Sequence, residues 1–446
     1  MKTLRTSLFT ALGLAGLTGL ASANAFNINE HDPKVTGRGG ATAASNADAS
    51  SIVFNPGGLA LTEGTQLLIG TSLYIAEGWY CDSNAAEAND CYDRGTRTDS
   101  APAPVPNLYV AHRLNDMIAL GVGVHFPFGL AVSYPDNHLQ STVAQDSDLK
   151  TMFVTPTVGL NLRKQVPGLS FGAGLDIVPS SVKLERALVF GEERGSVALA
   201  ANAVGIGFRA GAMYHPPALN GKLKLGVMYR HKIKLDFEGE ADIDIAEPFR
   251  SQVPPDGDAS TTINLPAAII GGVAVSPIDN LEVEFNAVWI QWSKTFSPDE
   301  DRGEDATSLS ITLPDGSTSN AAQDYEDTVS YRLGLDYKLP KQRMNVRGGF
   351  IYDPTPIPIT TQTAQLPDVN RLAFTLGVSH QVSQKLGLHA SALYIPPRER
   401  DTTTDPAVPT FHGTYGVQAL VLSVGISGNF GGTPPAAPPA ATVAKN

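Results

Sequence analysis

The feature that most constrains the fold is a series of segments in which apolar and polar residues alternate. One runs from Lys232 to Ile245 and another from Tyr331 to Leu339. Alternation with a period of two is typical of β-strands that have one apolar face. The connections between these segments are alternately short, as at Asn115-Asp116, and long, as at residues 77–103. Short turns on one side and long loops on the other are typical of an outer-membrane β-barrel with an even number of strands.

The pattern therefore predicts an all-β fold, a transmembrane antiparallel β-barrel of about 14 strands with both chain ends in the periplasm. The predicted strands are residues 65–76, 104–114, 117–127, 150–163, 169–184, 203–215, 222–245, 261–275, 280–295, 325–339, 343–353, 370–382, 385–395 and 414–430. The long connections, expected on the extracellular side, are residues 77–103, 128–149, 185–202, 246–260, 296–324, 354–369 and 396–413.

The composition also favours strands that face lipid. Charged residues make up 17% of the chain, against about 25% in an ordinary soluble protein. After residue 25 the sequence has no apolar run of the ~18 residues that indicate a membrane-spanning helix. Only helices and closed barrels satisfy the backbone inside a bilayer, so strands are the remaining candidates. The net charge of −12 argues against nucleic acid as a partner.

The first 25 residues have the features of a cleavable secretory signal. Lys2 and Arg5 precede an apolar stretch from Leu8 to Leu20, and Ala23-Asn24-Ala25 fits the small-residue rule for cleavage. The apolar stretch is too short for a membrane-spanning helix. We therefore expect export and cleavage after Ala25, which would remove two positive charges from the net charge of −12.

Residues 26–62 precede the first predicted strand, do not alternate, and are rich in Ala, Gly, Ser and Asn. A barrel of about 14 strands is wider than the eight-stranded size that side chains alone can fill. We therefore predict that residues 26–62 form a plug in the lumen and that residues 63–430 form the barrel. Inward-facing glycines would leave room for the plug: Gly121, Gly123, Gly172, Gly174, Gly205 and Gly207. The Pro- and Ala-rich residues 431–446 predict a disordered periplasmic tail.

Cys81 and Cys91 are the only cysteines. In an exported protein, a pair at this spacing predicts a disulfide that closes a small loop. A metal site would require further His or Cys residues nearby, and the sequence has none there.

Six short motifs are spread over nearly the whole chain after residue 25. They are Phe26-Asn27-Ile28-Asn29-Glu30; Asn55-Pro56-Gly57; Pro127-Phe128-Gly129-Leu130; Leu265-Pro266 followed by Trp289 and Trp292; Tyr352-Asp353-Pro354-Thr355-Pro356-Ile357-Pro358; and Leu366-Pro367-Asp368-Val369-Asn370-Arg371. In this order they resemble the FadL/TodX family of outer-membrane transporters for long-chain fatty acids and aromatic hydrocarbons. Two features depart from the family pattern: Gly57 replaces the usual Ala, and a tail follows Phe430, where family members usually end.

The resemblance assigns a gate to the end of the third predicted strand. Pro127 has no N–H for a ladder bond and Gly129 has no side chain to pack, so strand pairing should bend or break there. In the family this place is an inward kink that opens a window in the barrel wall. The element that packs against the kink corresponds to Asn55, Pro56 and Gly57.

The resemblance also identifies a candidate ligand site. Lys183-Leu184-Glu185-Arg186 is similar to a family segment whose Arg lines the internal pocket, and a guanidinium suits a carboxylate. The alternative for Arg186 is an ion pair with Glu185 or Glu193. Candidate apolar walls of the pocket, for which ordinary packing is the alternative, are Phe126, Phe128, Leu130 and Leu188.

Other patterns have simpler interpretations. Aromatic residues predict girdles at the two membrane surfaces: Trp289, Trp292, Tyr331, Tyr337, Tyr352 and Tyr394. The acidic stretch around Asp299-Glu300-Asp301 predicts a solvated extracellular loop rather than a Ca²⁺ site. The string Gly205-Ile206-Gly207 resembles a dinucleotide fingerprint but lies in a predicted strand, where that fingerprint does not function. We expect neither a cofactor nor catalysis.

Together these patterns predict a passive, monomeric outer-membrane channel for a hydrophobic small molecule, with membrane lipids as its surroundings. Ligand would be captured at extracellular loops, pass to a site in the lumen, and leave sideways at the kink. A long-chain fatty acid is the expected ligand, and an aromatic hydrocarbon is the alternative. A lipase-type barrel enzyme and a general porin are rival interpretations; hydrolysis and ion conductance, respectively, would reveal them.

Overall fold

The barrel strands of the structure, a computed structural model, lie close to the predicted ones. Residues 25–82, 91–99, 101–402 and 411–431 are described. The expected signal peptide, apart from Ala25, and the expected tail, apart from Gly431, lie outside the described residues. The barrel strands are β1 Thr65–Asp82, β2 Ala103–Arg113, β3 Ile118–His125, β4 Phe153–Asn161, β5 Leu169–Phe190, β6 Glu193–Tyr214, β7 Leu223–Arg230, β8 Ala268–Ile278, β9 Leu281–Ile290, β10 Thr328–Leu339, β11 Met344–Asp353, β12 Arg371–Gln381, β13 Leu386–Asp401 and β14 Gly413–Phe430.

Each strand pairs antiparallel with its neighbours in chain order, and β14 pairs with β1 to close the barrel. The closing register runs from Thr65 opposite Phe430 to Asp82 opposite Gly413. The predicted closed barrel of 14 strands is confirmed. Smaller strands lie above it, in the extracellular part: Thr96–Arg97, Gly129–Ser133, Asp146–Thr151, Ile233–Asp244, Gly257–Leu265, Ser297–Asp299, Gly303–Thr312 and Thr318–Ala322.

The helices are all short. The α-helices are Pro33–Thr36, Ser51–Phe54, Cys91–Arg94 and Glu247–Arg250. The 3₁₀ segments are Pro56–Leu61, Pro217–Leu219, Trp292–Lys294, Pro340–Gln342 and Ile359–Thr361. Among the described residues, no helix has the length and apolar character needed to cross a membrane.

The strands place apolar side chains on the outside, as their alternation predicts. Ile206 and Leu376 are 68% and 71% exposed on the outer face, which in a membrane is the face that contacts lipid. Tyr331, Tyr337, Tyr352 and Tyr394 are also exposed, as a girdle requires. The prediction that Trp292 belongs to that girdle is wrong. Its side chain is fully buried because the strand β9 ends at Ile290 and the next residues turn into the barrel.

Two predicted strands prove to be broken. The predicted strand 222–245 divides into β7 and Ile233–Asp244, and the predicted strand 261–275 divides into Gly257–Leu265 and β8. The breaks face each other at Lys232 and Pro266, since Ile233 pairs with Leu265 and Arg230 pairs with Ala268. Pro266 has no N–H for the ladder, which accounts for the interruption.

The predicted long loop at residues 185–202 is wrong. Strands β5 and β6 stay paired from Leu169 opposite Tyr214 to Phe190 opposite Glu193, so only a two-residue turn connects them. Gly191 of that turn has a φ of +65°, a conformation that glycine adopts without steric cost. The hairpin therefore continues beyond the other barrel strands, flanked by Asp146–Thr151 and Ile233–Asp244, and carries Arg186 with it.

Residues 25–62 lie inside the barrel, against strands on opposite sides of it. A Cβ added at Gly226 of β7 would lie 2.0 Å from the Ala43 carbonyl oxygen, and one at Gly425 of β14 would lie 2.9 Å from Pro33 Cγ. Arg38 forms ion pairs with Glu282 at 3.1 Å and Glu284 at 3.6 Å, both on β9. Small residues in the wall and polar contacts thus hold this segment in the lumen.

The inward-facing glycines serve two purposes. At Gly121 and Gly172 an added Cβ would meet Ile52 and Pro56 of the inner segment. At Gly205 and Gly207 it would instead meet Ile233, which belongs to the wall. Gly174 likewise faces wall side chains, those of Thr155, Thr157 and Arg209. The prediction that all six glycines leave room for the plug is therefore wrong for Gly174, Gly205 and Gly207.

The extracellular end of β1 is tied to the short helix Cys91–Arg94. A disulfide joins Cys81 and Cys91, whose Cα atoms are 5.6 Å apart. Trp79 packs edge-on against Tyr92 at 4.9 Å between ring centroids, so the covalent bond closes a small buried cluster.

We expect mass spectrometry of protein taken from the outer membrane, without reduction, to recover Cys81 and Cys91 in one linked peptide. The reduced sample serves as the control and should release two separate peptides. Two alkylated thiols in the non-reduced sample would contradict this pairing.

Candidate ligand path and wall opening

The wall of the barrel is open beside the end of β3. Residues 103–107 of β2 pair with β1, but the pairing of β2 with β3 begins only at Leu108 opposite Val124. Beyond His125 the chain leaves the wall, and Gly129–Ser133 pairs with Asp146–Thr151 instead. Within the described chain, residues 103–107 therefore have no ladder partner on the side of β3. The predicted interruption is present, although β3 ends two residues earlier than expected.

The start of the inner segment covers this opening from within. The Ile28 N–H donates to the Pro127 carbonyl at 2.8 Å, and the Gly129 N–H donates to the Phe26 carbonyl at 3.0 Å. Asn27 forms a single antiparallel bridge with Phe128. Pro127, Phe128 and Gly129 thus pair with the N-terminal segment in place of a wall strand.

Phe126 points into the barrel. Continued alternation along β3 would instead direct its side chain toward lipid. Its side chain is 8% exposed and lies in an interior cluster with Ile28, Tyr74 and Val105. The alternation of faces stops there because strand geometry ends at His125. Phe126 lies at the inner side of the opening.

The other edge of the opening contains two prolines that the sequence analysis did not single out. Pro104 and Pro106 alternate along the unpaired part of β2 with the buried residues Ala103, Val105 and Asn107. A proline has no N–H to donate, so the edge exposes fewer unsatisfied donors. Two prolines spaced by one residue inside a predicted membrane strand are a sequence signal of such an edge.

A cavity lies in the extracellular part of the barrel, beside Arg186. The Arg186 Nη2 donates to Ser319 Oγ at 3.1 Å, and the guanidinium is partly buried. Glu185 is engaged by Lys183 at 3.1 Å. Among the described residues, no carboxylate lies at ion-pair distance from Arg186, so the ion pairs proposed as alternatives are absent there. The other lining side chains are mainly apolar, including Leu184, Leu199, Leu309 and Ile311.

A second cavity continues from the first toward the middle of the barrel. Leu184, Leu309 and Gln365 line both cavities. Below them the lining includes Leu130, Leu149, Phe296 and Phe26. The shared residues place the two mainly apolar cavities next to each other, and together they form a path from Arg186 down to the N-terminal segment, with these side chains between them.

Aromatic rings form the floor of this path. Phe26 packs edge-on against Trp292, with 5.1 Å between the ring centroids. Its contact with Phe128 is tilted, with 5.9 Å between the centroids. Leu188 is half-buried and belongs to the lining of neither cavity. Of the predicted pocket walls, Leu130 lines the path, Phe128 lies at its floor, and Phe126 lies at the opening. Whether they contact ligand stays a prediction.

Asn55, Pro56 and Gly57 anchor the far end of the inner segment rather than the kink. The Asn55 amide donates to the carbonyls of Ala43 at 2.6 Å and Ala212 at 3.1 Å, and its oxygen accepts from the Gly57 N–H at 3.0 Å. A Cβ on Gly57 would lie 3.1 Å from the backbone of Ala212 and Met213. The wall approaches closely here, which favours glycine over the usual alanine.

The acidic stretch at residues 299–305 has no metal-site geometry where the structure describes it. Asp299 accepts a hydrogen bond from Ser308 Oγ at 2.6 Å. In the described part of the chain, no group of His, Cys, Asp and Glu side chains is arranged to hold a metal ion.

Comparison with known proteins shows where this architecture occurs. A profile of the family described as "Outer membrane protein transport protein (OMPP1/FadL/TodX)" matches residues 14–430. The chain is 23% identical to a long-chain fatty acid transport protein of Escherichia coli O6:H1, over 87% of this chain and 91% of that protein. It is 25% identical to outer membrane protein P1 of Haemophilus influenzae, over 87% of this chain and 89% of that protein.

Solved structures share the fold. A FadL homologue from Pseudomonas aeruginosa superposes with a TM-score of 0.77 at 18% identity, covering 91% of this chain and 100% of that one. The toluene transporter TodX of Pseudomonas putida superposes with a TM-score of 0.70 at 17% identity, covering 94% of this chain and 100% of that one.

Replacing Asn55 with Ala should loosen the inner segment, because the substitution leaves buried carbonyls without a donor. We expect thermal unfolding to report a loss of roughly 1–3 kcal/mol, and hydrogen exchange of residues 43–57 to become faster. The half-exposed Asn264, in the extracellular strand Gly257–Leu265, is the matched control for replacement by Ala. Equal protection of residues 43–57 in both variants would contradict the anchoring role of Asn55.

Proposed function

The chain belongs to the OMPP1/FadL/TodX family of outer-membrane transport proteins, and from that premise we propose that it takes up long-chain fatty acids passively. The observation that carries the proposal is the apolar path that begins beside Arg186 and descends to the N-terminal segment covering the wall opening. The proposed transport involves no chemical step, and the protein acts as a monomer surrounded by outer-membrane lipid.

Capture is proposed to occur in the extracellular part, beside Arg186. The guanidinium can hold a carboxylate by charge-assisted hydrogen bonds. Leu184, Leu199 and Leu309 would then surround the first methylenes of the ligand's alkyl chain. Each buried methylene contributes about 0.8 kcal/mol, so the ligand can enter the path without an energy source. The release step must then return the ligand to an apolar environment.

Exit is proposed to occur sideways, between residues 103–107 and the kink at Pro127. The floor residues Phe26 and Phe128 separate the apolar path from the rest of the plug, which contacts the wall through ion pairs such as that of Arg38 with Glu282. An apolar ligand loses free energy by crossing such a polar region and gains it by entering lipid. Movement of Phe26 and Ile28 away from the kink would open the lateral route.

An aromatic hydrocarbon is the alternative ligand. The proteins similar to this chain include some named as fatty-acid transporters and others, TodX and TbuX, named as toluene transporters. Aromatic side chains at the base of the path, including Phe26, Trp292, Phe296 and Tyr325, would suit an aromatic ring. Arg186 favours the fatty acid, because a neutral ring offers its guanidinium no anionic partner.

The plug, residues 26–62, is proposed to close the lumen to ions. Deleting it should leave a folded barrel that conducts ions in planar bilayers with large, porin-like steps, since a barrel of this width has an open lumen without filler. Intact protein, reconstituted in the same way, is the control. Equal conductance of the two proteins would show that residues 26–62 do not close the lumen.

Lateral exit is tested by restoring the strand at the kink. Pro127→Thr combined with Gly129→Val supplies a ladder donor and two residues that suit strands. A Cβ at Gly129 would meet the end of the flexible Ile28 side chain at 3.0 Å and the Leu149 carbonyl oxygen at 3.5 Å, an ordinary contact distance, so the change is tolerable. We expect uptake of labelled fatty acid by cells to fall about tenfold, equivalent to ~1.4 kcal/mol in the barrier, while binding to purified protein is retained.

Pro340→Thr, in the periplasmic turn Pro340–Gln342, is the control for loss of a proline, and it should leave uptake unchanged. A double variant whose structure shows a continuous third strand, yet whose uptake is normal, would refute lateral exit.

A further inference from the structure

A third cavity lies beneath Phe128, between the N-terminal segment and the barrel wall. Ile28 and Pro127 line it, so it lies directly inside the wall opening. Much of the remaining lining is polar, including Arg209, Arg230, Arg332 and Asn286. The cavity has a volume of about 40 Å³, and a single water molecule requires roughly 10–15 Å³. A carboxylate group would fit.

Two of the three arginines in this cavity have no carboxylate at ion-pair distance among the described residues, although the more distant Glu30 and Asp353 act electrostatically on Arg332. Arg230 is 8% exposed, its guanidinium lies 4.6 Å from the Phe128 ring centre, and its Nη2 reaches only the Pro266 carbonyl at 3.4 Å. Arg332 is 5% exposed and lies against the backbone of Gly40. The Nε atoms of both are buried without a hydrogen-bond partner.

Arg209 provides the contrast within the same cavity. Its guanidinium is 2.9 Å from a carboxylate oxygen of the fully buried Asp176, and it also donates to the Val53 carbonyl at 3.0 Å. Other nearby carboxylates are engaged as well. Glu30 accepts from the Tyr74 hydroxyl at 2.6 Å, and Asp353 forms an ion pair with Arg371 at 3.7 Å. Among the described residues, no carboxylate lies at ion-pair distance from Arg230 or Arg332.

Burying a charged group is unfavourable unless it is paired and hydrogen-bonded. Two such cations beside one cavity favour the binding of an anion between them, because its charge would offset theirs. An alkyl chain or a neutral ring in this cavity would leave both guanidinium groups unpaired. A carboxylate would accept their free N–H groups, and its negative charge would offset theirs.

We propose that this cavity binds the carboxylate head group of an amphiphilic ligand, between Arg230 and Arg332, immediately before the ligand leaves through the wall opening. The inference rests on the proposed function and adds a second cationic site, below the one at Arg186. The tail would remain in the apolar path above Phe26 and Phe128. The arrangement selects fatty acids over aromatic hydrocarbons, because only a carboxylate neutralises the buried arginines.

The test compares the affinities of hexadecanoate and its methyl ester for the purified full-length barrel, by titration calorimetry. We expect the wild type to bind the acid at least about tenfold more tightly than the ester, since charge-assisted hydrogen bonds are the stronger kind. Arg230→Gln and Arg332→Gln should each reduce that ratio several-fold, without weakening ester binding. Arg347→Gln is the control, because Arg347 is equally buried but already paired with Asp336 at 2.7 Å.

Charge-preserving variants distinguish the loss of the positive charge from misfolding of the barrel. Arg230→Lys and Arg332→Lys should keep part of the preference for the acid. If the Gln and Lys variants lose acid and ester binding alike, the arginines are structural and the inference is wrong. If only Arg186→Gln abolishes the preference, the inference is also wrong, but the proposed function stands. If neither probe binds the wild type, the proposed function itself fails.

A small inorganic anion is the other possible source of negative charge. Crystals soaked in bromide, with and without hexadecanoate, distinguish the two by anomalous scattering. We expect hexadecanoate to displace any bromide between Arg230 and Arg332. Bromide that stays in the presence of saturating hexadecanoate would overturn the assignment of this cavity to the ligand head group.

Discussion

The constraint on which the rest of this structure depends is that lipid offers no hydrogen bonds to an unpaired backbone. Each unsatisfied N–H or C=O in the bilayer costs several kcal/mol, so a membrane barrel normally has no gap in its ladders. This barrel nevertheless has a gap between residues 103–107 and the end of β3. The gap is tolerable because Pro104 and Pro106 remove donors from one edge, and because Phe26 and Ile28 pair with the other.

The same hydrogen bonds couple the lumen to the wall. The Ile28 N–H and the Phe26 carbonyl both bond to the kink, so the start of the inner segment cannot move without changing the opening. At its other end, the segment is fixed by Asn55 and by the ion pairs of Arg38. Rigid anchoring at one end and a short backbone pairing at the other make the first few residues the part of the segment that can move most readily.

The interior is also layered by polarity. An apolar path occupies the upper half, with Arg186 at its top and the rings of Phe26 and Phe128 at its base. Below those rings the inner segment contacts the wall through buried charged residues, as with Arg38 and Glu284. A ligand with a long tail would therefore find apolar surroundings above the floor and at the wall opening. This layering gives a physical reason for a lateral route in preference to one straight through the barrel.

Much of the fold could be predicted from the sequence, because a period of two and the alternation of short and long connections are local signals. The kink at Pro127 was predictable for the same reason, as it depends on what proline cannot donate. The burial of Trp292 and the break opposite Pro266 could not be predicted, since they depend on where strand pairing stops. Nor could the sequence distinguish the paired Arg209 from the unpaired Arg230, because the partner of each is distant in the chain.

The most direct test of the account is to locate a bound fatty acid during its passage. A hexadecanoate carrying a photoactivatable diazirine at its terminal carbon can be cross-linked to the barrel in outer membranes, and the labelled residues identified by mass spectrometry. The account predicts labels along the apolar path and at the opening, on residues 26–28, 103–107 and 126–130. Labels concentrated on the lower lumen, around Lys34, Asp48 and Glu282, would mean that the ligand passes straight through and would contradict lateral release.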